Sequence, residues 1–366
     1  MVVQYYYPQV LSQTRLDSYL ASGWFRNAYM MYRAKLICLN DDLFSVVNIR
    51  LKTNDYEPSK RLRKTARRCE SRFTTVIRPM LLDQEKEALY QAHKDRFEGF
   101  IYGSLKYFFY GEIGYHKIFN THEVCVYDGN KLIAVSFFDF GQNSCASLLA
   151  VYDSSYSKFS LGTFTMMKEV EYSIEKGLDY YYPGYILDKS SVFDYKLKVG
   201  EMQYYNWRTK RWRKWQSRST IPSDAENVKA KIELIKEGLK ESNIEYKEYM
   251  YPLFSVGYLD SYYVRSPIFV SCHHEENEDL PPRFIIEYWL DEDCFTLSTV
   301  QKTPFVNNPE MMEISDSFYS EHNYFDLLMY KQVLITSATI DDIIRELFNY
   351  PNDYDYYDED FGYVKH

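Results

Sequence analysis

Apolar residues recur along this chain with two periods, and the switches between them mark out its elements. Leu11, Leu16, Tyr19 and Leu20 fall near helical spacing, and Gly23 is placed to stop that helix. The strand-like run Ala28 to Tyr32 follows Trp24-Phe25-Arg26, and Leu43 to Leu51, apolar and β-branched, reads as a further strand. Ser59 is a fair N-cap for a helix through Arg68, and Asp83 to Phe97 carries a second helical pattern. Gly99 to Gly114, rich in glycine and aromatics, reads as a loop serving as lid or substrate wall. Glu123 to Tyr127 and Lys131 to Phe140 flank Asp128-Gly129-Asn130, a strong hairpin signal. A strand Ala146 to Tyr152, a helix Gly162 to Lys176 and a strand Tyr180 to Ile186 complete a β–β–β–α–β order. Further on, Ser223 to Tyr246 reads as one long amphipathic helix, and Thr339-Ile340-Asp341-Asp342 opens a short one with acids at its positive end.

Length adds domain organisation. The 366 residues suffice for two or three domains, and the pattern divides them at 1–78, 79–218 and 219–366. No run of about eighteen apolar residues appears, so no membrane-spanning helix or membrane partner is expected. The N-terminal residues lack a basic region followed by an apolar one, so no signal peptide is expected either. Six cysteines without CxxC spacing suit a reduced, cytoplasmic protein.

Charge divides the chain more sharply than composition does. Residues 1–218 hold 32 Lys+Arg against 23 Asp+Glu, and residues 219–366 hold 11 against 29, beneath a net charge of −9. This suggests an anion-binding body with an acidic appendage, two ordinary domains of different surface charge being the plainer alternative. The Ser59 helix carries Lys60, Arg61, Arg63, Lys64, Arg67 and Arg68 with no acid four residues on from any of them. Such unpaired repulsion favours phosphate contact over a merely solvated face. Between Tyr204 and Trp215, aromatics interleave with Arg208, Lys210, Arg211, Arg213 and Lys214. That suits single-stranded nucleic acid such as a tRNA acceptor end, or a β-hairpin whose aromatics pair across strands. Cys272-His273-His274-Glu275-Glu276 looks like a metal cluster, yet adjacent residues cannot all face one ion, and a loop is the better reading. Asp139 stands in an apolar strand end, where a carboxylate needs a partner or water.

Several short runs carry a resemblance. They are Gly23-Trp24-Phe25-Arg26 with Tyr32, Pro58-Ser59-Lys60 with Arg63 and Arg67, and Leu132-Ile133-Ala134-Val135 with Asp139. Val151-Tyr152-Asp153, Ser160-Leu161-Gly162-Thr163 and Gly184-Tyr185 with Tyr195-Lys196 follow in order. Together, over residues 4–215, they resemble the aminoacyl-tRNA–protein transferase family, which includes arginyl-tRNA–protein transferases and bacterial leucyl relatives. The resemblance implies a mixed α/β, N-acetyltransferase-like (GNAT-type) catalytic domain at 79–218, beside an N-terminal α+β region. The acidic C-terminal α+β unit lies outside it, a nucleic-acid mimic or a docking surface for a partner. The family's N-terminal region usually carries four metal-binding cysteines. Here Tyr5, Tyr6, Tyr7 and Pro8 stand where the first pair is expected and Cys38 alone stands for the second, so no metal and no cofactor is expected.

The implied reaction is attack by a protein's N-terminal α-amine on the ester of a charged tRNA. Arginine is the expected residue and leucine the next, and the acceptors are proteins beginning with Asp or Glu. Asp139 is the expected general base, since an apolar surround would raise its pKa. Tyr185 or Tyr195 would donate to the leaving 3′-oxygen, and Lys196 would offset oxyanion or phosphate charge. Leu161 and Gly162 at a helix start, with Tyr152 and Asp153, would approach the oxyanion or terminal nucleotide. Arg26 and Lys60 would meet the acidic side chain, and Lys60, Arg63, Arg67, Arg208 and Arg211 the tRNA. Singly, Tyr152 and Tyr185 also read as core aromatics, Gly162 as a plain turn and Asp139 as a cap. An acyl-CoA-dependent N-acyltransferase and a non-catalytic tRNA-binding module are the competing readings.

Overall fold

A computed structural model describes residues 1–111, 114, 118–272, 282–303, 312–314 and 320–350. The chain divides into two compact units, Met1–Glu226 with Phe305–Asn323, and Asn227–Pro304 with Tyr324–His366. No helix among the described residues is long and apolar enough to cross a membrane.

The first unit begins with β1 (Val3–Tyr6), α1 (Gln13–Ala21), β2 (Phe25–Asn27), β3 (Met30–Ala34), β4 (Leu36–Leu39) and β5 (Asp42–Lys52). Then come α2 (Lys60–Glu70), β6 (Thr74–Pro79), α3 (Gln84–Gln91), β7 (Phe100–Tyr102) and α4 (Leu105–Tyr110). The hairpin β8 (Thr121–Asp128) and β9 (Lys131–Phe140) leads to β10 (Ser144–Tyr152), α5 (Leu161–Glu175) and β11 (Tyr180–Leu187). A 3₁₀ segment, Val192–Lys198, precedes a second hairpin, β12 (Met202–Asn206) and β13 (Arg211–Lys214). Nine strands form one sheet in the order β13-β12-β5-β11-β10-β9-β8-β6, with β4 alongside β5. Strands from residues 1–78 and 79–218 therefore share a single sheet.

Caps set the helices. Ser59 Oγ accepts from the Leu62 amide at 3.3 Å and Asp83 Oδ1 from the Lys86 amide at 2.9 Å, so both expected helix starts hold. Along β9 every residue from Leu132 to Phe140 is buried, as befits a central strand covered on both faces. The Gly99–Gly114 stretch is not plain loop. It contains β7 and α4, because Ser104 caps a turn that buries Leu105 and Phe109.

The sheet opens at one place. β10 and β11 pair in parallel over Ser144–Ala146 and Tyr180–Tyr182, with α5 crossing between them. Beyond that both are irregular. β10 slips against β9 between Ser147 and Leu149, and β11 slips against β5 between Tyr181 and Gly184. Pro183 has no N–H to give a ladder, and Gly184 sits at φ +97°, which other residues rarely adopt. Two irregularities face to face splay the parallel strands and leave a cleft.

The second unit contains most of α6 (Asp224–Glu241), then β14 (Tyr246–Met250), β15 (Ile268–Cys272), β16 (Phe284–Trp289) and β17 (Cys294–Thr303). After β18 (Met312–Ile314), which pairs with β7 in the first unit's own small sheet, come β19 (Leu327–Ser337) and α7 (Ile340–Leu347). Its sheet is an antiparallel run, β14-β15-β16-β17-β19. The long helix expected to reach Tyr246 stops at Glu241, since Asn243 takes the left-handed conformation at φ +53° and turns the chain into β14. Residues 273–276 and the acidic tail beyond Tyr350 lie outside the described residues.

Candidate active site

The cleft between the splayed strands has a volume of about 100 Å³. Ala146, Ser147 and Leu148 of β10 form one wall and Tyr182 to Tyr185 of β11 the other. Phe25 and Tyr32 close it, and two cationic side chains, Arg26 and Lys196, reach it. A wider hollow in the second unit, lined by Lys240, Asn243, Ile244, Glu245, Tyr246 and Lys247, has mixed charge at a helix end and gathers no buried polar group.

Lys196 comes from the 3₁₀ segment, which Ser191 caps. Its Nζ donates to the Tyr185 carbonyl at 3.0 Å and lies 5.0 and 4.9 Å from the Tyr185 and Phe193 ring centres. Burial pushes its ammonium down to about 8, because ring faces replace water around the charge only in part. A Cβ on Gly184 would stand 3.4 Å from this Nζ, so the glycine keeps the approach open. The Tyr185 ring packs on Phe25 and Phe193, and burial raises its phenol to about 12. Tyr195 is likewise raised to about 12, by burial first and then by Glu169 and Tyr152. Both remain protonated donors at neutral pH.

The expectation that Asp139 acts as general base meets a different geometry. Its Oδ1 accepts from Arg26 Nη1 at 2.9 Å and Thr121 Oγ1 at 2.6 Å, and Oδ2 accepts from Nη1 at 3.2 Å. The side chains are 5% and 1% exposed, and Asp139 does not line the cleft. Arg26 also donates to the Ala28 and Phe109 carbonyls and lies over Phe119. The apolar surround was legible; the arginine that neutralises it, remote in sequence, was not. The pair acts as a strut between β2 and β9, and its charges are spent on each other.

Other expected residues lie around the cleft rather than in it. Tyr152 packs at a tilt against His93, 4.8 Å between ring centres, and under Arg96, and the nearest neighbour of a Cβ on Gly162 would be Tyr152. Leu161 is fully buried at the start of α5. Asp153 pairs with Lys131 at 2.6 Å and caps Ser155, which together hold its carboxyl down at about 2. Lys60, Arg63 and Arg67 stand exposed on α2, while Leu62 and Ala66 of the same helix pack with Met167 of α5. Arg208 and Arg211 are exposed on the second hairpin. Its aromatics are turned inward: Tyr205 pairs with Trp212 across the strands, and Trp212 and Tyr180 sandwich Arg50. Both readings of that stretch thus meet, a hairpin holding its rings and offering its cations.

Among the buried acids that the sequence did not reveal, one interacts with a residue lining the cleft. Glu169, fully buried on α5, accepts from the Tyr181 hydroxyl at 2.7 Å. The signal was there, since Thr165, Glu169 and Ser173 place polar groups at i, i+4 and i+8 on a face that is otherwise apolar. Cys38 is buried on β4, and with phenols at Tyr5 and Tyr6 the residues present do not make up the family's thiolate set.

Residues 80–206 match the family described as the C terminus of arginine-tRNA-protein transferase. An aspartate/glutamate leucyltransferase of Leptospira interrogans is 26% identical over 201 residues, covering 53% of this chain and 76% of that one. Enzymes of the same name from Campylobacter jejuni and Vibrio cholerae are 24% and 26% identical, covering 53% and 56% of this chain and 81% and 85% of theirs. Over this part the chain is similar to the aminoacyl-tRNA–protein transferases. Among solved structures, L-PGS from Bacillus licheniformis aligns at a TM-score of 0.30 and 12% identity, covering 39% of this chain and 46% of that one. A glucosamine N-acetyltransferase region of a fungal β-N-acetylglucosaminidase aligns at 0.29 and 11%, covering 57% and 22%. The family match spans α3 to β12 and so takes in both splayed strands and Lys196, whereas α2 and Arg26 lie upstream of it.

Proposed function

We propose that this transferase moves an amino acid from charged tRNA to the α-amine of proteins beginning with Asp or Glu. The observation that carries this reading is Lys196, a partly desolvated ammonium lining a cleft whose other cation, Arg26, is already held by Asp139. A carboxylate on a one- or two-carbon stem matches that arrangement. Its apolar stem suits walls of Phe25, Leu148 and Pro183, and its charge restores what burial takes from the lysine. Arg26, already neutralised by Asp139, orients the wall rather than the substrate.

The transferred residue on this reading is leucine rather than arginine. Donor and acceptor must meet within bonding distance, and the cleft's lining carries the Lys196 ammonium, an Arg26 already neutralised by Asp139, and no Asp or Glu to receive a guanidinium. A guanidinium brought to the same place would be repelled and unpaired. The names of the three bacterial relatives agree. The exposed cations of α2 and of the second hairpin supply phosphate contacts for the tRNA, and the splayed parallel strands support the N-acetyltransferase-like reading. The ester is already activated, so positioning, proton removal and oxyanion stabilisation suffice, without a cofactor.

The test offers a mixed pool of charged tRNAs to peptides that differ only in their first residue. Leucine should pass to peptides starting with Asp and Glu, and the yield should fall steeply with added salt. Equal transfer to peptides starting with Asp and Lys, or transfer of arginine in place of leucine, would overturn the assignment of the cleft.

A further inference from the structure

The proposed reaction releases a proton that none of the groups discussed so far takes up. An N-terminal amine reaches the site as an ammonium and attacks as the free base, while Asp139 is tied to Arg26. Lys196, once paired with the acceptor's carboxylate, stays charged. The acceptor of that proton has to lie close to the cleft and yet be shielded from the incoming carboxylate.

Glu169 meets both conditions. It is fully buried in the middle of α5. Its Oε2 accepts from the Tyr181 hydroxyl, while Oε1 has no hydrogen-bond partner at normal distance, and neither has the equally buried Ser136 hydroxyl. The Ser136 and Ser147 hydroxyls both act on the carboxylate, and the Ser147 hydroxyl also acts on Tyr181. Ser147 is the residue at the β10 irregularity, and it lines the cleft. One hydroxyl therefore stands between an incompletely satisfied buried carboxylate and the place where the amine would arrive. A helix needs no acid here for its own sake, since an isolated buried charge is costly and an apolar residue would pack as well.

We infer that Glu169, acting through the Ser147 hydroxyl, receives the proton lost by the attacking α-ammonium. This rests on the transferase reading above. The step balances simply. Ser147 Oγ accepts the ammonium proton as its own proton passes to Glu169, so a carboxylate becomes a carboxylic acid and the amine becomes a nucleophile. The amide C–N bond then forms and the ester C–O bond breaks, and the second amine proton leaves with the tRNA 3′-oxygen. After product release Glu169 returns its proton by the same hydroxyl. Glu169 is thus a positioning and proton-storing residue, and Ser147 is the group that touches substrate.

The surroundings suit the task. Burial lifts the Glu169 carboxyl to about 7, against the pull of Ser136, Tyr181 and Ser147, so it changes charge in the range where transfer occurs. Tyr181 on β11 and Cys145 on β10 are pushed up by burial and by Glu169 itself, so both stay neutral and compete for no proton. Tyr195, from the 3₁₀ segment, stays protonated as well. Of the other elements packed on α5, β9 offers Asp139, held by Arg26, β8 offers His122, set among Phe138, Phe140 and Tyr172, and α2 offers Cys69, raised to about 11.

The test uses the full chain and a leucyl-tRNA donor with a peptide starting with Asp, measuring the transfer rate from pH 5.5 to 9, limits set by the roughly unit-wide shifts at issue. In the unmodified protein the rate should rise through a step near 7. Glu169→Gln keeps the shape and removes the proton store. It should lower the rate at high pH by about a hundred- to ten-thousandfold and abolish the lower step. Ser147→Ala, which leaves α5 untouched, should reproduce both effects and serves if the glutamine variant folds poorly. A variant with full rate and an unchanged profile would overturn the inference. So would a lowered rate with the step intact, since that is what a purely structural carboxyl would give. If the unmodified chain transfers nothing from any charged tRNA, the transferase reading fails and the proton store with it; transfer unaffected by Glu169→Gln removes the proton store alone.

Discussion

Among the described residues each unit buries a carboxyl that forms no salt bridge, Glu169 on α5 and Glu287 on β16, and the two are alike by every simple measure. Glu169 and Glu287 are both fully buried, and burial lifts both to about 7. They differ in their neighbours. Glu287 receives the Tyr330 hydroxyl on both oxygens, at 3.1 and 2.9 Å, and the Ser266 amide at 3.2 Å, so both oxygens are occupied. Glu169 has one oxygen occupied and one without a hydrogen bond, with a cleft-lining serine acting on it. A perturbed acid therefore does not by itself mark a site. What sets Glu169 apart is an oxygen without a hydrogen bond and a neighbour that lines an opening.

The largest effect should separate the two regions outright. Replacing Lys196 by Met removes the cation from the cleft, and losing one partner of a desolvated charge pair costs about 2–5 kcal/mol. We expect kcat/KM for peptides starting with Asp to fall by roughly thirty- to several thousandfold. Glu287→Gln, in the other unit, should leave kcat/KM where it was. An equal loss in both variants would dissolve the contrast. Acceptor binding should also weaken as pH rises through about 8, because the free lysine loses its proton there.

Asp139 offers a third kind of buried acid, and its removal should act on folding rather than on protons. Asp139→Ala leaves Arg26 buried without its counter-charge, which costs about 3–5 kcal/mol. Urea unfolding should show a matching fall in midpoint with little change in slope. A loss below about 1 kcal/mol would mean that the strut between β2 and β9 carries no load, since only exposed pairs are worth so little.

These three acids also show what could be read from the sequence and what could not. The pattern of β8 to β11 was legible because each strand is a bounded apolar run and the turn at Asp128-Gly129 is chemically specific. The cap at Ser59 and the exposed basic face of α2 were legible for the same local reasons. The partner of Asp139 was not, because Arg26 lies 113 residues away and only the tertiary fold joins them. The cleft was not, because it arises from two irregularities in strands that look regular on paper. Glu169 was hidden by habit, since an acid in a helix is ordinarily taken for a solvated one.

A moderate effect should sharpen the comparison from the other side. Burial raises Glu287 from its ordinary 4.5 to about 7, so between those values the folded chain binds more protons than the unfolded one. Stability attributable to this group is therefore full below about 4.5, falls as pH rises, and is lowest above 7. Glu287→Gln, neutral throughout, should raise stability by up to about 3 kcal/mol at pH 8 and change it little at pH 5, by chemical unfolding at both. Equal effects at both pH values would mean that the carboxyl does not titrate within the folded unit.

The smallest effect tests why Glu287 is content to stay sealed. The Tyr330 hydroxyl bonds both carboxyl oxygens and favours the charged form, since it is a donor and a carboxylate only accepts. Tyr330→Phe removes that donor and should raise the carboxyl further. The cost is then that of a hydrogen bond to a charge at pH 8, about 2 kcal/mol, and that of a neutral one at pH 5, about 1 kcal/mol. The matched change in the other unit, Tyr181→Phe, takes away the one hydroxyl that Glu169 holds at bonding distance and should move the transfer profile toward higher pH. If Tyr330→Phe instead costs the same at both values, Glu287 is a neutral acid throughout, and the likeness between the two carboxyls ends at their burial.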